Sequence, residues 1–430
     1  WVVFGCILGG AVHDFLIGAM SIRNDGAGLP DLISHYLGRG ARHFVTFFIL
    51  LLMLLVGTVF VKGPALLIVE LLPAETVGSL FGSGATEWLN TSVFGLSVWM
   101  WTVMLVIYIY YILATLLAID TIIGRLYPFF ALALVVMVAG LGFALLTGRI
   151  PAVPFTLDNL HPKHLPAWPL IFITVSCGAV SGFHATQSPL MARCLKSEKR
   201  MRLVFYGAMI AEGVIALIWS ATALGFYDGI DGLSAALAKG GPGAVVRDAC
   251  VATMGSIGGA LAVLGVVVLP ITSGDTAFRV GRLILADYFR LPQKRLINRY
   301  ILVVPLFVLS FALNFVNFDV VWRYFGWANQ TLAAVALWCA AVFLARRHSR
   351  WWLAFVPAVF MTVVTTTYIL VEEVGFGLEP RVGTITGVAI GAVCAAFFLW
   401  RRSRLAPEED KPAIIAKPTE TERSTDSLAC

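Results

Sequence analysis

The chain reads as an all-α, polytopic transmembrane helical bundle, and three observations carry that reading. Only 13% of its 430 residues are charged, about half of the roughly 25% usual for a soluble domain. Hydrophobic residues make up 59% and mean hydropathy is +0.86. The apolar residues fall in long runs separated by short polar loops, and a membrane-crossing helix needs about 20 such residues. Disorder, collagen, a disulfide scaffold and an ordinary soluble enzyme are therefore excluded as descriptions of the whole chain.

The runs place about eleven spans, near 1–20, 44–69, 93–118, 126–147, 168–186, 203–226, 255–273, 299–315, 328–345, 353–371 and 382–400. Lys and Arg orient them. Loops after the odd-numbered spans, with the C-terminus, hold 24 of the 31 Lys and Arg, and loops after the even-numbered spans, with Lys62 of the second span counted there, hold 7. Positive charge marks the cytoplasmic side, so the odd loops and the C-terminus are expected in the cytoplasm and Trp1 outside, in a cytoplasmic (inner) membrane. The net charge of +6 is then loop bias, and no nucleic-acid partner is expected.

Residues 1–402 form the expected membrane domain. The tail from Ser403 to Cys430, rich in Pro, Glu, Thr and Ser, cannot bury a core and is expected to be disordered. The longest outer loop is expected at 227–254, with Gly-Gly-Pro-Gly at 240–243. The chain starts at Trp1 inside an apolar run, with no initiator Met and no signal-peptide features, so upstream sequence is expected to be missing. Seven scattered cysteines, at 6, 177, 194, 250, 339, 394 and 430, imply neither a disulfide framework nor a zinc site, and no cofactor is expected.

Four stretches depart from plain apolar helix. The first, Gly9 to Phe15, carries His13 and Asp14 at membrane depth, where ionisable groups are costly unless they face protein or water. Two readings fit it: a coupling role, or a helix end with Asp14 paired to an Arg. The second runs from Thr174 to Pro189. Gly178 and Gly182 loosen the helix, Ser176, Ser181, Thr186, Gln187 and Ser188 add polar groups, and Pro189 removes a donor. Unpaired backbone at that depth survives only against protein or a watery cavity, and transporters use such broken helices to present backbone to solute and ions. A break near 176–184 is expected, with Ser176, Gly178, Ser181, Gly182, His184 and Gln187 lining a solute site. His184 titrates near neutrality when unperturbed. The alternative is a Gly-rich packing face.

The third stretch, Leu269 to Thr276, closes the seventh span. Thr272, Ser273 and Asp275 suit a hard cation such as Na⁺, or a proton relay. The alternative is a Pro270 kink with back-bonded hydroxyls and Asp275 near Arg279 or Arg282. In the fourth, Trp322 to Gln330, the polar pair Asn329 and Gln330 on an apolar helix serves either as interhelical glue or as the lining of an outer vestibule. No GxSxG, Walker A, HExxH or GxGxxG in a strand-to-helix setting occurs, so no enzyme is expected. An intramembrane enzyme would need a catalytic pair in mutual reach, and only His13/Asp14 and His184 qualify.

At these stretches the sequence resembles the carbon starvation protein A (CstA) family. The resemblance is carried by Gly10-Ala-Val-His-Asp-Phe15 with Arg23, Asp25 and Gly26; by Ser176-Cys-Gly-Ala-Val-Ser-Gly-Phe-His-Ala-Thr-Gln-Ser-Pro189; by Thr272-Ser-Gly-Asp-Thr-Ala-Phe-Arg279; and by Phe325-Gly-Trp-Ala-Asn-Gln330. Asp120-Thr-Ile-Ile-Gly-Arg-Leu-Tyr-Pro128 looks like the family's shorter branch. The resemblance implies a secondary transporter that takes up small peptides during carbon starvation, or a small carboxylate such as pyruvate, with H⁺ or Na⁺ as coupling ion. It also implies a fold similar to the amino acid–polyamine–organocation superfamily, with two inverted five-helix repeats. The first span would be that fold's second helix, the fifth its broken sixth helix, and the seventh its eighth, whose Ser/Thr residues often help bind Na⁺. Family members carry a further broken helix just before the position of Trp1. The expected roles are solute binding at Ser176, Gly178, Ser181, Gly182, His184, Gln187, Asn329 and Gln330; ion coupling at His13, Asp14, His184, Thr272, Ser273 and Asp275; and Na⁺, the only metal considered, at Thr272 and Ser273. A membrane sensor or structural subunit that binds solute without moving it is the rival class.

Overall fold

The computed structural model describes residues 1–408 apart from 117–119, 154–155, 157, 163 and 294. In chain order the helices are α1 (Val2–Arg23), α2 (Leu29–Tyr36), α3 (Arg39–Leu71), α4 (Ala74–Gly78), α5 (Ser83–Asn90), α6 (Val98–Leu116), α7 (Asp120–Leu146), α8 (Ala167–Thr174) and α9 (Gly182–Cys194). They continue with α10 (Glu198–Phe226), α11 (Ile230–Val263), α12 (Leu269–Phe289), α13 (Leu296–Leu313), α14 (Phe318–Arg346), α15 (Trp352–Val371) and α16 (Pro380–Arg402). A two-residue hairpin, Ser92–Val93 against Leu96–Ser97, is the only sheet among the described residues. The chain is an all-α, multi-pass membrane protein.

Among the described residues nine helices are long and apolar enough to cross a membrane, and Val98–Ala114 is a shorter apolar helix. Their outer faces carry large exposed apolar side chains, such as Phe129, Leu132 and Val135 on α7, as a lipid-facing surface requires. The interruption expected in the fifth span is present: the span consists of two short helices, α8 and α9. Two other expectations need correction. The loop expected at 227–254 is largely helical: α11 consists of helical segments joined at two kinks, where Gly241 (φ 65°) and Gly255 (φ 63°) take non-helical backbone. A glycine adopts that backbone at little cost. The seventh span does not close near 273. A π-helical turn at Leu264–Val268 leads into α12, which continues to Phe289. Pro270 sits at the start of α12, where its missing N–H costs least. Beyond Glu408 the expected tail lies outside the described residues. Cys6, Cys177, Cys250, Cys339 and Cys394 are free thiols.

The structure divides into two units. The first contains Trp1–Leu52, Pro166–Ala216 and the described residues from Trp322 onward. In it α15 and α16 pack side by side along Gly383, Gly387 and Gly391, which are buried against Val371, Thr367 and Val363. Small residues at four-residue spacing let helix backbones approach closely in lipid, where no hydrophobic force drives helices together.

The second unit contains Met53–Leu165 and Leu217–Val321. Its core gathers Val61, Met104, Tyr111, Phe278 and Phe307 from α3, α6, α12 and α13. Buried polar groups there are chained. Thr58 Oγ1 is 3.0 Å from Ser310 Oγ, which is 2.7 Å from the Tyr108 hydroxyl, and Asn314 Nδ2 donates to that hydroxyl at 2.8 Å. Lys62, inside the second span, donates to the Asn314 and Val316 carbonyls at 3.1 and 3.3 Å. A cation there complements the C-terminal end of α13.

Pro64 lies within α3 and has no N–H to offer the carbonyl of Phe60 one turn back. The Tyr111 hydroxyl donates to that carbonyl at 2.9 Å. Tyr111→Phe should leave it unpaired in a buried setting and lower stability by about 1–3 kcal/mol. Thermal unfolding in detergent reads this out; an unchanged midpoint would mean the carbonyl finds another donor.

Candidate solute and ion-coupling site

The discontinuous helix organises the site. The chain leaves helix after Thr174 and re-enters it at Gly182, so the break covers 175–181 rather than 176–184. Gly182 and His184 belong to the first turn of α9. Within the break the Ser176 carbonyl accepts from the N–H groups of Ala179 (3.1 Å) and Val180 (2.9 Å).

The open backbone ends are met by side chains from other helices. Trp1 Nε1 donates to the Val175 carbonyl at 2.9 Å, and Gln330 Nε2 to the Phe172 carbonyl at 3.1 Å, both at the C-terminal end of α8. Asn329 Oδ1 accepts from the Phe183 N–H at 2.7 Å and from the Ser181 hydroxyl at 3.4 Å. Ser181, the N-cap residue of α9, makes no cap bond with its own side chain. Asn329 supplies that bond from α14, as an N-cap side chain does within one helix. Of the two readings for Asn329 and Gln330 the structure shows interhelical glue: both are fully buried.

Close approach is needed where α1 crosses the break. A Cβ on Gly10 would lie 2.1 Å from the Ala179 carbonyl oxygen, and one on Gly182 would lie 2.1 Å from the Asn329 carbonyl oxygen. Just before His13, α1 contains a π-helical turn, Cys6–Gly10. Such turns are frequent at functional sites.

The π turn and the break bring together four ionisable groups. His13 Nδ1 is 2.8 Å from Asp14 Oδ1, His184 Nδ1 is 2.9 Å from Asp14 Oδ2, and His184 Nε2 is 3.4 Å from Glu212 Oε2. Asp14 therefore pairs with two histidines, and not with an Arg. An ionised carboxylate only accepts hydrogen bonds, so each imidazole presents Nδ1–H to it. Side-chain exposure falls along the row, from 38% at Glu212 and 22% at His184 to 9% at Asp14 and 0% at His13. The row thus runs from an accessible carboxylate to a buried imidazole, whose Nε2 has no protein partner among the described residues.

Glu212 is absent from the sequence-based roles. It is the only charged residue in the run from Leu203 to Phe226, and an intramembrane carboxylate is itself a functional signal. Gln187 donates to Thr186 Oγ1 at 3.0 Å within α9. Ser176 and Gly178 lie in the break. Thr272, Ser273 and Asp275 belong to the second unit, inside α12. There both hydroxyls donate to the Leu269 carbonyl, at 2.8 and 3.1 Å, and Asp275 pairs with Arg279 at 3.0 Å. Back-bonding and the ion pair are the alternative expected for that stretch. No cluster of three His, Cys, Asp or Glu side chains among the described residues is arranged for a metal ion.

A discontinuous helix held open by side chains, with a buried ionisable row beside it, defines a polytopic membrane protein of the type in which irregular backbone at membrane depth is stabilised by surrounding protein. The family model for carbon starvation protein CstA matches residues 1–82, 64–231 and 229–368. The chain belongs to the carbon starvation protein CstA family.

Among its relatives, a membrane protein of Haemophilus influenzae is 40% identical over 272 residues, covering 56% of this chain and 73% of that protein. The peptide transporter CstA of Helicobacter pylori is 28% identical over 272 residues, covering 51% of this chain and 38% of its own length. The pyruvate/proton symporter BtsT of Escherichia coli is 27% identical over 271 residues, covering 51% and 36%. The matched region is thus well under half the length of these two transporters.

Proposed function

We propose that the chain forms the core of a proton-coupled secondary transporter of the cytoplasmic membrane, taking up small peptides or a small carboxylate such as pyruvate. The observation that carries this reading is the row Glu212–His184–Asp14–His13 beside the broken helix. A proton can reside on the Glu212 carboxylate or on His184 Nε2, and the Asp14 carboxylate stabilises the imidazolium. Binding of solute at the break, through the backbone of 176–182, would change the environment of His184 and so couple charge to occupancy. Rocking of one helix bundle against another around such a site gives alternating access. The names of the relatives, peptide transporter and pyruvate/proton symporter, support both the solute classes and the proton. The 24-to-7 division of Lys and Arg supports a cytoplasmic C-terminus.

A non-enzymatic role is part of this reading, and the transporter and symporter names of the relatives support it.

The test is uptake of labelled di- and tripeptides and of pyruvate by right-side-out vesicles carrying the chain, under an inward H⁺ gradient, an inward Na⁺ gradient, or neither. Accumulation driven by H⁺ is expected. Accumulation driven by Na⁺ alone would move the coupling site to Thr272 and Ser273. Binding of solute with no accumulation under either gradient would overturn the carrier reading in favour of a sensor.

A further inference from the structure

Away from the ionisable row, α14 and α16 leave a cavity of about 220 Å³ near the C-terminal end of α16. Its walls are mostly apolar: Val335 and Trp338 on α14, Phe397 and Phe398 on α16, and Tyr36 and Leu37 at the end of α2. These positions recur at helical spacing, so one face of each helix lines the space. The same face of α16 continues into Arg401 and Arg402, which also line the cavity. Phe397 and Trp400 are each 54% exposed at this level, the pattern of an aromatic belt at a membrane boundary.

Among the described residues Arg401, Arg402 and Arg404 form no salt bridge, while the nearby Glu408 is engaged by Arg346 (3.9 Å) and Arg347 (3.5 Å). Two of the three guanidiniums are held by stacking: Arg402 lies 4.4 Å over the Trp351 ring and Arg404 4.4 Å over the Trp400 ring. Stacking fixes the plane of a guanidinium and leaves its edge N–H groups directed outward, the arrangement that receives a phosphate. An apolar slot beside arginines that form no salt bridge among the described residues matches a molecule with a fatty chain and an anionic phosphate head.

We infer that this cavity binds an anionic phospholipid, an acyl chain lying between α14 and α16 and the phosphate resting on Arg401 and Arg402. A zwitterionic head would bring its own cation to the arginines, and a free phosphate would leave the aromatic slot empty. The inference is independent of the transported solute and of its coupling ion.

The test is native mass spectrometry of the full chain in detergent, titrated with dioleoyl-phosphatidylglycerol or dioleoyl-phosphatidylcholine. Phosphatidylglycerol is expected to be retained at least about tenfold more tightly. The double change Arg401→Gln and Arg402→Gln should remove that preference and leave phosphatidylcholine retention unchanged. Val335→Trp, which fills the slot and keeps every arginine, should also weaken phosphatidylglycerol retention, and thermal unfolding of each variant checks that it is folded. Equal retention of the two lipids, or full retention of phosphatidylglycerol by either folded variant, would overturn the inference. So would complete displacement by inorganic phosphate at equal concentration, which marks a site for the free anion. Binding that appears only after removal of residues 409–430 would assign the slot to the chain's own tail.

Discussion

Asp14→Asn is expected to abolish proton-driven accumulation of solute while leaving solute exchange across the membrane measurable. Asp14 is the centre of the row: its two oxygens each take a hydrogen bond from a different histidine, at 2.8 and 2.9 Å. An asparagine replaces one of the two acceptor oxygens by a donor amide, so it cannot receive both Nδ1–H groups where Asp14 does. One imidazole must turn or lose its partner, and the negative charge that stabilises an imidazolium at His184 is gone. Each charge-assisted hydrogen bond is worth about 1.5–3 kcal/mol, so loss of the charged partner should lower the rate of the proton-coupled step by at least about a hundredfold. The readout is initial uptake under an inward H⁺ gradient, set beside counterflow of labelled solute with no gradient. His184→Gln should give the same split between accumulation and exchange, and Glu212→Gln should slow proton entry with a milder effect. A variant at Asp14 that accumulates solute at the wild-type rate would remove the row from the coupling mechanism. Loss of counterflow together with accumulation, in a protein that still unfolds at the normal temperature, would assign Asp14 to solute binding.

The second large effect is steric. Gly182→Ala puts a methyl group 2.1 Å from the Asn329 carbonyl oxygen, and Gly10→Ala puts one 2.1 Å from that of Ala179. Both obstacles are backbone atoms, so no side-chain rotation relieves the overlap, and helices must separate. Overpacking of this kind costs about 1–3 kcal/mol. At Gly182 it should also pull Asn329 from the Phe183 N–H, uncapping α9 at a further cost of about 1 kcal/mol. Lower unfolding temperatures are expected for both variants, with transport lost in Gly182→Ala even below its unfolding temperature. Asn329→Ala provides the control: it removes the cap without the clash and should show only the smaller loss of stability. Wild-type unfolding and uptake in Gly182→Ala would show that the backbone near the break is free to shift.

Much of this protein is legible in its residues alone, because the bilayer imposes simple demands. Backbone groups in hydrocarbon must pair within their own segment, so long apolar runs such as 44–69 and 353–371 can only be helices, and α3 and α15 are. Gly178, Gly182 and Pro189 in one span mark a helix that cannot stay continuous. The break ends a few residues earlier than local composition suggests, because Asn329, distant in sequence, caps Phe183 and lets α9 begin at Gly182. Polar residues on apolar faces, His13, Asp14 and His184 among them, stand out as costly and therefore purposeful.

Partnership is not legible in that way. Nothing in the order of residues says that Asp14 meets His184, 170 positions away, and not an Arg, or that Glu212 completes the row. The seventh span and the 227–254 stretch depart from expectation for a related reason. Pro270, Gly241 and Gly255 weaken a helix locally, but a π turn or a positive-φ glycine lets helix resume on the far side, and local composition does not distinguish a pause from an end. That the chain crosses a membrane, where its apolar spans lie and which helix is interrupted all follow from residue order, because hydrophobic patterning and backbone pairing act over a few neighbouring residues. Which ionisable groups face one another follows from the packed fold instead, since a charge at membrane depth takes its meaning from whatever distant side chain is packed against it.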